Sequence, residues 1–510
     1  MSPPIQPSSS LKSTDTIIPF HFWDDLPHTR GLCLNITLRF DSELDPDKLR
    51  TALTRLLEID NWRKLGARLR QDGKGKFTYH LPSQFTNNRP GFTFTTEHHE
   101  TDINSHPLAS QMPSSKTPNP NPQSPIRIYD SMIKYHPLVR HKSAPASLED
   151  LLQKDIPQLS IHTIIFKDAT LLTITFQHTL MDAAGLSGFL NAWTSILSNK
   201  EENIPPLLGF DEDIIQSHME TVPATQHVLA GTVFGQISLL IFTFLAWWER
   251  YWYPEVVDRV FVIPGTYVRE LKEQALQELA EAEADTEAEI EIESHKQKKG
   301  VQPFVSESDI LLTWLASRLV AAYNPRSTSA VQISNVFDVR AVLGLPSPGV
   351  YIGNATMAAS AGFEAREFGH MDNSTGCGLG FVAVKMRGAL ERQRAKGQVF
   401  AYSALQREMI EKTGFPPMTG RVGQLGIVCT NWQRAGLFDV DFGGARVGGK
   451  GVGGCRPSYV NVTGPGPLNE YAPRNLMTVT GKDSEGNWWV QVIGREAVLR
   501  KAERWMRARE

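Results

Sequence analysis

Residues 161–197 constrain the fold more than any other stretch of the chain. Two runs rich in Ile, Leu, Thr and Phe, 161–166 and 171–177, flank a short Lys167-Asp168-Ala169 turn, and this spacing predicts an antiparallel hairpin. His178-Thr-Leu-Met-Asp182-Ala-Ala-Gly185 follows immediately, and apolar residues then recur at helical spacing to about Leu197. Leu172, Ile174 and Phe176 share the parity of His178, so the period-two alternation of a strand aims His178 toward the buried face of the sheet. Asp182 falls where the helix begins.

A buried histidine at the end of a strand has a chemical use. Imidazole titrates near neutrality, partial burial favours its uncharged form, and a neutral ring can accept a proton from an attacking hydroxyl or amine. The same pattern also fits a core histidine satisfied by a backbone carbonyl, with Asp182 serving only as a helix N-cap. H-x-x-x-D alone does not decide between them. With 14 histidines in 510 residues, about 0.7 matches are expected by chance, and the chain has three. His21-Phe-Trp-Asp-Asp25 lies in the lead-in to the first strand, and His98-His-Glu-Thr-Asp102 at the edge of a polar stretch. Neither has a glycine three residues after the aspartate or an apolar helix behind it, so both are assigned to loops.

At 510 residues the chain exceeds the size of a single core, and two domains of roughly 200 residues are expected. Residues 1–200 form the first, in which 31–40 alternate as a strand and Asp45-Pro46 opens a helix carrying Leu49, Ala52, Leu53 and Leu56. Within it, 101–146 is rich in Pro, Ser, Asn and His and reads as a surface insertion without catalytic residues. Residues 201–302 form a crossover that holds the charge-free segment 228–248, an aromatic cluster from Trp247 to Tyr253, and an acidic linker helix over 271–299. Residues 303–510 form the second domain, opened by the capping pattern Ser306-Glu-Ser-Asp309.

Charge and cysteine usage exclude several classes of function. A formal charge of -3 provides no basic field for nucleic acid. Cys33, Cys377, Cys429 and Cys455 lie far apart without C-x-x-C, which fits neither a zinc site nor a secreted disulfide framework. Residues 1–11 lack the pattern of a secretory signal, so a cytoplasmic protein is expected. Gly444 to Lys450 spaces its glycines like a phosphate loop but is followed by Gly451 instead of Ser or Thr. Gly449-Lys-Gly451-Val-Gly-Gly454 runs into Cys455-Arg-Pro457 instead of a helix, so no nucleotide site is built there either.

Motifs in the second half join the His178 pattern in resembling the signature of the BAHD acyltransferases and their fungal relatives. Ser306 to Trp314 resembles the helix that opens the family's second domain, Asp338-Val-Arg340 its D-x-R segment, and Tyr351-Ile-Gly353-Asn354-Ala355 its Y-x-G-N-A segment. Thr430-Asn431-Trp432 resembles its T-S-W strand, and Asp441-Phe442-Gly443 its D-F-G loop. Two positions depart from the family: Gly444 stands where it usually has tryptophan, and Ala183 where plant members usually have glycine.

The resemblance implies an α/β fold of two chloramphenicol-acetyltransferase-like domains, each a mixed sheet with flanking helices, with the active-site channel between them. It implies transfer of an acyl group, acetyl being expected, from acyl-CoA to a hydroxyl or amine of a small secondary metabolite such as a terpenoid or polyketide. His178 is then the general base, and Asp182 points away from substrate to pair with Arg340 of the second domain. Asp441, Phe442, Gly443, Thr430 and Trp432 are scaffold for the CoA channel. Neither a metal nor a bound cofactor is expected, and the chain is expected to be a monomer. Two alternatives share the pattern. One is a condensation-type domain using carrier-protein thioesters, although Gln177 replaces the first histidine of its H-H-x-x-x-D-G. The other is an inactive relative that captures ligand in the channel.

The segment 228–248 is long enough to span a bilayer once, at about 20 residues. A single crossing would separate His178 from Arg340. The segment is therefore expected to be a helix buried against the protein or an interfacial anchor, with 228–253 touching the membrane surface.

Overall fold

The computed structural model describes residues 14–119, 124–130, 132–285, 304–369, 378–448, 454–464, 468 and 473–507. The lead sequence 1–11, the end of the acidic stretch at 286–299, Cys377 and most of the glycine run 449–454 lie outside the described residues.

The predicted hairpin is the centre of a five-stranded sheet in the order Tyr459–Thr463, Cys33–Phe40, Thr170–Gln177, Ser160–Ile165, Thr93–His98. Only the last pair is parallel. Every residue of Thr170–Gln177 is buried. Leu172, Ile174 and Phe176 join the core beneath the helices Pro46–Leu56 and Ala183–Leu197. On the other parity, the Thr173 hydroxyl pairs with Thr37 at 2.9 Å and Thr175 donates to Asn35 Oδ1 at 2.7 Å, which offsets their desolvation. Asp45 caps Pro46–Leu56 by accepting from the N–H groups of Asp47 and Lys48, and Leu49, Ala52, Leu53 and Leu56 form its buried stripe.

A seven-stranded sheet runs Thr356–Glu364, Ala330–Asp338, Leu425–Asn431, Leu476–Lys482, Trp488–Arg495, Val256–Ile263, Arg127–Tyr129. Its second, third and fourth strands are mutually parallel. The helices Glu307–Tyr323, Leu379–Gln393 and Glu496–Arg507 cover one face and enclose a second core. Ser306 and Asp309 form the expected capping box, and Arg387 donates to Asp309 from the neighbouring helix. A small antiparallel sheet of Thr16–Pro19, Phe77–Leu81 and Arg68–Gln71 lies beside the first core.

Four expectations need correction. The division at 200 and 303 does not describe the sheets, because Tyr459–Thr463 closes the first sheet while Val256–Ile263 and Arg127–Tyr129 belong to the second. The stretch 101–146 is not a surface insertion. Ile103, Met112, Met132, Tyr135 and Val139 are buried in the first core, Ile126 in the second, and Arg39 Nη1 donates to Met112 O at 2.6 Å. Its prolines and serines serve a segment that must turn repeatedly while passing from one sheet to the other. The acidic stretch begins as the helix Gly265–Asp285, which buries Val268, Leu271 and Ala275 in the second core, so its first turns are no solvated linker.

The fourth correction concerns the crossover. Its apolar run forms the helix Gln236–Trp252, and none of that helix's residues is buried. It is held near its ends, by Phe234 N–H donating to Met418 O at 2.8 Å and by Glu249 receiving Arg474 Nη1 at 3.0 Å and Arg495 Nε at 2.6 Å. Burial is therefore excluded as the explanation of its hydropathy. Among the described residues, no helix is long and apolar enough to cross a membrane.

Candidate active site

His178 occupies the turn between the strand Thr170–Gln177 and the helix Ala183–Leu197. Both faces of that strand are buried, so alternation does not separate core from solvent here as the sequence suggests. The turn is fixed by its neighbours. His178 N–H donates to Leu32 O at 2.7 Å, and Gln177 Nε2 to Arg30 O at 2.7 Å. The imidazole is deep in the protein but keeps part of its surface accessible. Burial lowers its pKa from the ordinary 6.5, against smaller upward pulls from its own carbonyl, Asp182 and Asn354. The ring is neutral at pH 7. Its Nδ1 has no well-formed hydrogen bond among the described residues, although its carbonyl and Asn354 lie close enough to favour the protonated form.

Asp182 turns away from this ring. Its Oδ1 caps the helix by accepting from Gly185 N–H at 2.9 Å and also receives Arg340 Nη2 at 2.8 Å, while Oδ2 accepts from Ala355 N–H at 3.0 Å. Arg340 Nε donates to Tyr351 O at 2.9 Å and Nη1 to Asp338 at 3.0 Å. Burial works against the guanidinium charge, but Asp182 and Asp338 outweigh it and raise the pKa of Arg340 above its ordinary value. One ion pair thus ties the first half of the chain to the second beside His178. The glycine that separates this H-x-x-x-D from the other two has a steric cause. A Cβ on Gly185 would lie 1.9 Å from Ile352 O, so only glycine lets the helix meet the 351–355 segment this closely.

Two residues near His178 were not singled out in the sequence as site residues. Asn354 donates from Nδ2 to His178 O at 2.9 Å, and Asp24 Oδ1 accepts from Asn354 N–H at 2.8 Å. Asn354 was visible within Y-x-G-N-A. Asp24 stood inside the pattern assigned to a loop, and 22–25 is indeed turn and bend, but that loop is packed inward, for Trp23 and Asp24 are both buried. His98, of the third pattern, ends the strand Thr93–His98 and is exposed. His28, on the short helix Pro27–Arg30, keeps an accessible face, yet burial and the neighbouring His178 pull its pKa down to about 4.

The expected channel scaffold is more scattered. Phe442 is fully buried between Phe40 and Trp193, with ring centroids 5.1 and 5.5 Å away, inside the first core. Asp441 Oδ1 accepts from the N–H groups of Gly443 at 2.8 Å and Cys455 at 2.7 Å, so it shapes a turn. Trp432 Nε1 donates to Thr430 Oγ1 at 2.9 Å at the end of Leu425–Asn431. Gly444, where the family usually has tryptophan, sits against the end of Ala183–Leu197, and a Cβ there would lie 2.0 Å from Leu197 O.

Comparison with known proteins bears on this arrangement. The family model described as "Transferase family" matches residues 145–448. The acetyltransferase adrJ of Penicillium rubens is 36% identical over 95% of this chain and 94% of its own length. A protein named transcriptional regulator sdnM, from Sordaria araneosa, is 34% identical over 98% and 97%. Among solved structures, TRI101 of F. graminearum in complex with coenzyme A and deoxynivalenol superposes with a TM-score of 0.63, at 14% identity and 96% coverage of both chains.

Proposed function

The chain belongs to the Transferase family, the BAHD-type acyltransferases, and is an acyl-CoA-dependent O-acyltransferase of two chloramphenicol-acetyltransferase-like domains; on that premise we propose that His178 is its general base. His178 takes the proton of the acceptor hydroxyl as the oxygen attacks the thioester carbonyl carbon. The C–S bond then breaks, and the imidazolium returns the proton to the departing thiolate. The observation that carries this reading is a neutral, partly accessible imidazole whose neighbouring carboxylate, Asp182, is committed to Arg340 and to two backbone N–H groups. Asp182 and Arg340 act as structural partners, while Thr430, Trp432, Asp441, Phe442 and Gly443 are scaffold, Phe442 from within the first core and Asp441 by shaping its turn. The donor is acetyl-CoA, and the acceptor a small alcohol of secondary metabolism, as the name of adrJ and the ligands of TRI101 support. A formal charge of -3 disfavours a DNA-bound role such as the name of sdnM suggests. Thiol release from acetyl-CoA with a panel of hydroxylated terpenoids and polyketides tests the reading. Release from an acyl carrier protein but not from acetyl-CoA would overturn it.

The chain works in the cytoplasm as a monomer resting on a membrane surface through residues 228–253. Ile237, Leu240, Phe244, Trp247 and Tyr251 are 75, 71, 56, 57 and 65% exposed and form one helical stripe that ends in Trp and Tyr, the side chains favoured at lipid headgroups. Glu249 lies on the opposite side of the helix by its spacing and is fastened to the protein by the largely buried Arg474 and Arg495, which leaves the stripe facing outward. Flotation with phosphatidylcholine vesicles, with and without phosphatidylserine, tests this. Binding to the vesicles, lost in a Leu240→Ser/Phe244→Ser/Trp247→Ser variant that still acetylates a water-soluble acceptor, is expected. Failure to float with either vesicle, or a dimer in light scattering that the same variant abolishes, would overturn it.

A further inference from the structure

The turn between the strand Thr16–Pro19 and the short helix Pro27–Arg30 carries a buried carboxylate that the chemistry above does not use. Asp24 is 5% exposed, and no lysine or arginine among the described residues reaches salt-bridge distance of it. Burial pushes its carboxyl up to about 6, against hydrogen bonds from Asn354 and the more distant charge of Lys64. A buried, unpaired carboxylate is costly to keep. Its bonding suggests what it supplies.

Asp24 Oδ1 accepts from the backbone N–H of Asn354 at 2.8 Å and from its Nδ2 at 3.2 Å. That same Nδ2 donates to His178 O at 2.9 Å. The next residue, Ala355, gives its N–H to Asp182 Oδ2 at 3.0 Å. Consecutive backbone N–H groups of one loop from the second half are thus held by two carboxylates of the first half, on either side of His178. Gly353 is required at this junction, because a Cβ would lie 2.8 Å from Asp24 Oδ1 and 2.5 Å from the Tyr351 hydroxyl. The peptide groups around His178 are fixed at both ends, N–H by Leu32 O and C=O by Asn354 Nδ2. Fixing both fixes the direction of its Cα–Cβ bond, which aims the imidazole.

We infer that Asp24 is a positioning residue for His178, acting through Asn354. The inference rests on the proposal that His178 is the base. A base misplaced by about 1 Å can lose 10²-fold in rate, so the contribution is expected in kcat.

Steady-state kinetics with acetyl-CoA test it. Asp24→Ala is expected to lower kcat by about 10- to 100-fold with KM for acetyl-CoA within about twofold, since no binding group has been removed. Asp24→Asn keeps an acceptor oxygen facing Asn354 and is expected to recover most of kcat. Asn354→Ala, which cuts the link and leaves Asp24 in place, is expected to match the loss of Asp24→Ala, and the double variant to be no worse than Asn354→Ala alone. An unchanged kcat in Asn354→Ala, or multiplied losses in the double variant, overturns the inference while leaving His178 as base. Should Asp24→Ala fail to fold, Asp24→Asn and Asn354→Ala carry the test. Full activity of His178→Ala would instead remove the premise.

Discussion

Arg340 reaches out of the turn after the strand Ala330–Asp338 and places Nη2 2.8 Å from Asp182 Oδ1, so an ion pair between the two halves of the chain stands four residues from His178. Asp182 is 4% exposed and Arg340 14%. Removing either partner would strand the other as a buried charge. Asp182→Asn is expected to cost on the order of 3 to 5 kcal/mol, with melting temperature and turnover falling together. Unchanged melting with lost turnover would place the carboxylate in the chemistry itself.

His178→Ala is expected to reduce thiol release by about 10²- to 10⁴-fold with the fold retained, the range for loss of a general base. Full release with normal circular dichroism would refute the mechanism. His98→Ala serves as the control and is expected within about twofold of wild type, because an exposed histidine contributes little.

Because burial lowers the pKa of His178 from 6.5, the active neutral form persists below that pH. The profile of kcat/KM is expected to fall on acidification with its midpoint below pH 6.5. A midpoint above pH 6.5 would contradict the assignment.

Stability against pH separates His28 from Asp24 by sign. His28 has its pKa lowered from 6.5 to about 4, so in that window the unfolded chain takes up a proton that the native state refuses. Its contribution is complete above 6.5 and is lost as pH falls toward 4. Asp24, raised from 3.8 to about 6, acts oppositely: the native state binds the proton first, which relieves a buried charge as pH falls. Melting scans of Asp24→Asn are therefore expected to show a steeper loss of stability between pH 6 and 4 than the wild type. A shallower loss would argue against the buried charge.

Gly185→Ala would put a methyl 1.9 Å from Ile352 O, where backbone has to move. Loss of about 1 to 3 kcal/mol is expected, with activity reduced because the shift passes to Asn354 and Asp182. Differential scanning calorimetry together with kcat checks both parts.

What the sequence made legible was local. The hairpin, the Asp45 cap, the Ser306 capping box and the Asp182–Arg340 pair all rest on short-range patterns or matched motifs, and each is present. Asp24 was missed because its partners, at 354 and 178, are distant in sequence and meet only in the folded chain. The stretch 101–146 was misread for a related reason, since its composition reports turning backbone and not where the turns lead. The crossover helix was half-read: hydropathy found it, but only packing reveals that its apolar side faces outward.

The exchange of strands between the sheets has a consequence for synthesis. Cys33–Phe40 is a long, buried strand whose outer edge is covered by Tyr459–Thr463, more than 400 residues later. At ribosomal rates of about 5 to 20 residues per second, that edge waits roughly 20 to 80 s for its partner. Throughout this interval the nascent chain presents an open row of backbone donors and acceptors, the template on which β-aggregates grow. Any transcript that stops short of codon 463 leaves the row open permanently, so its product is expected to be cleared or to aggregate, however complete its histidine turn.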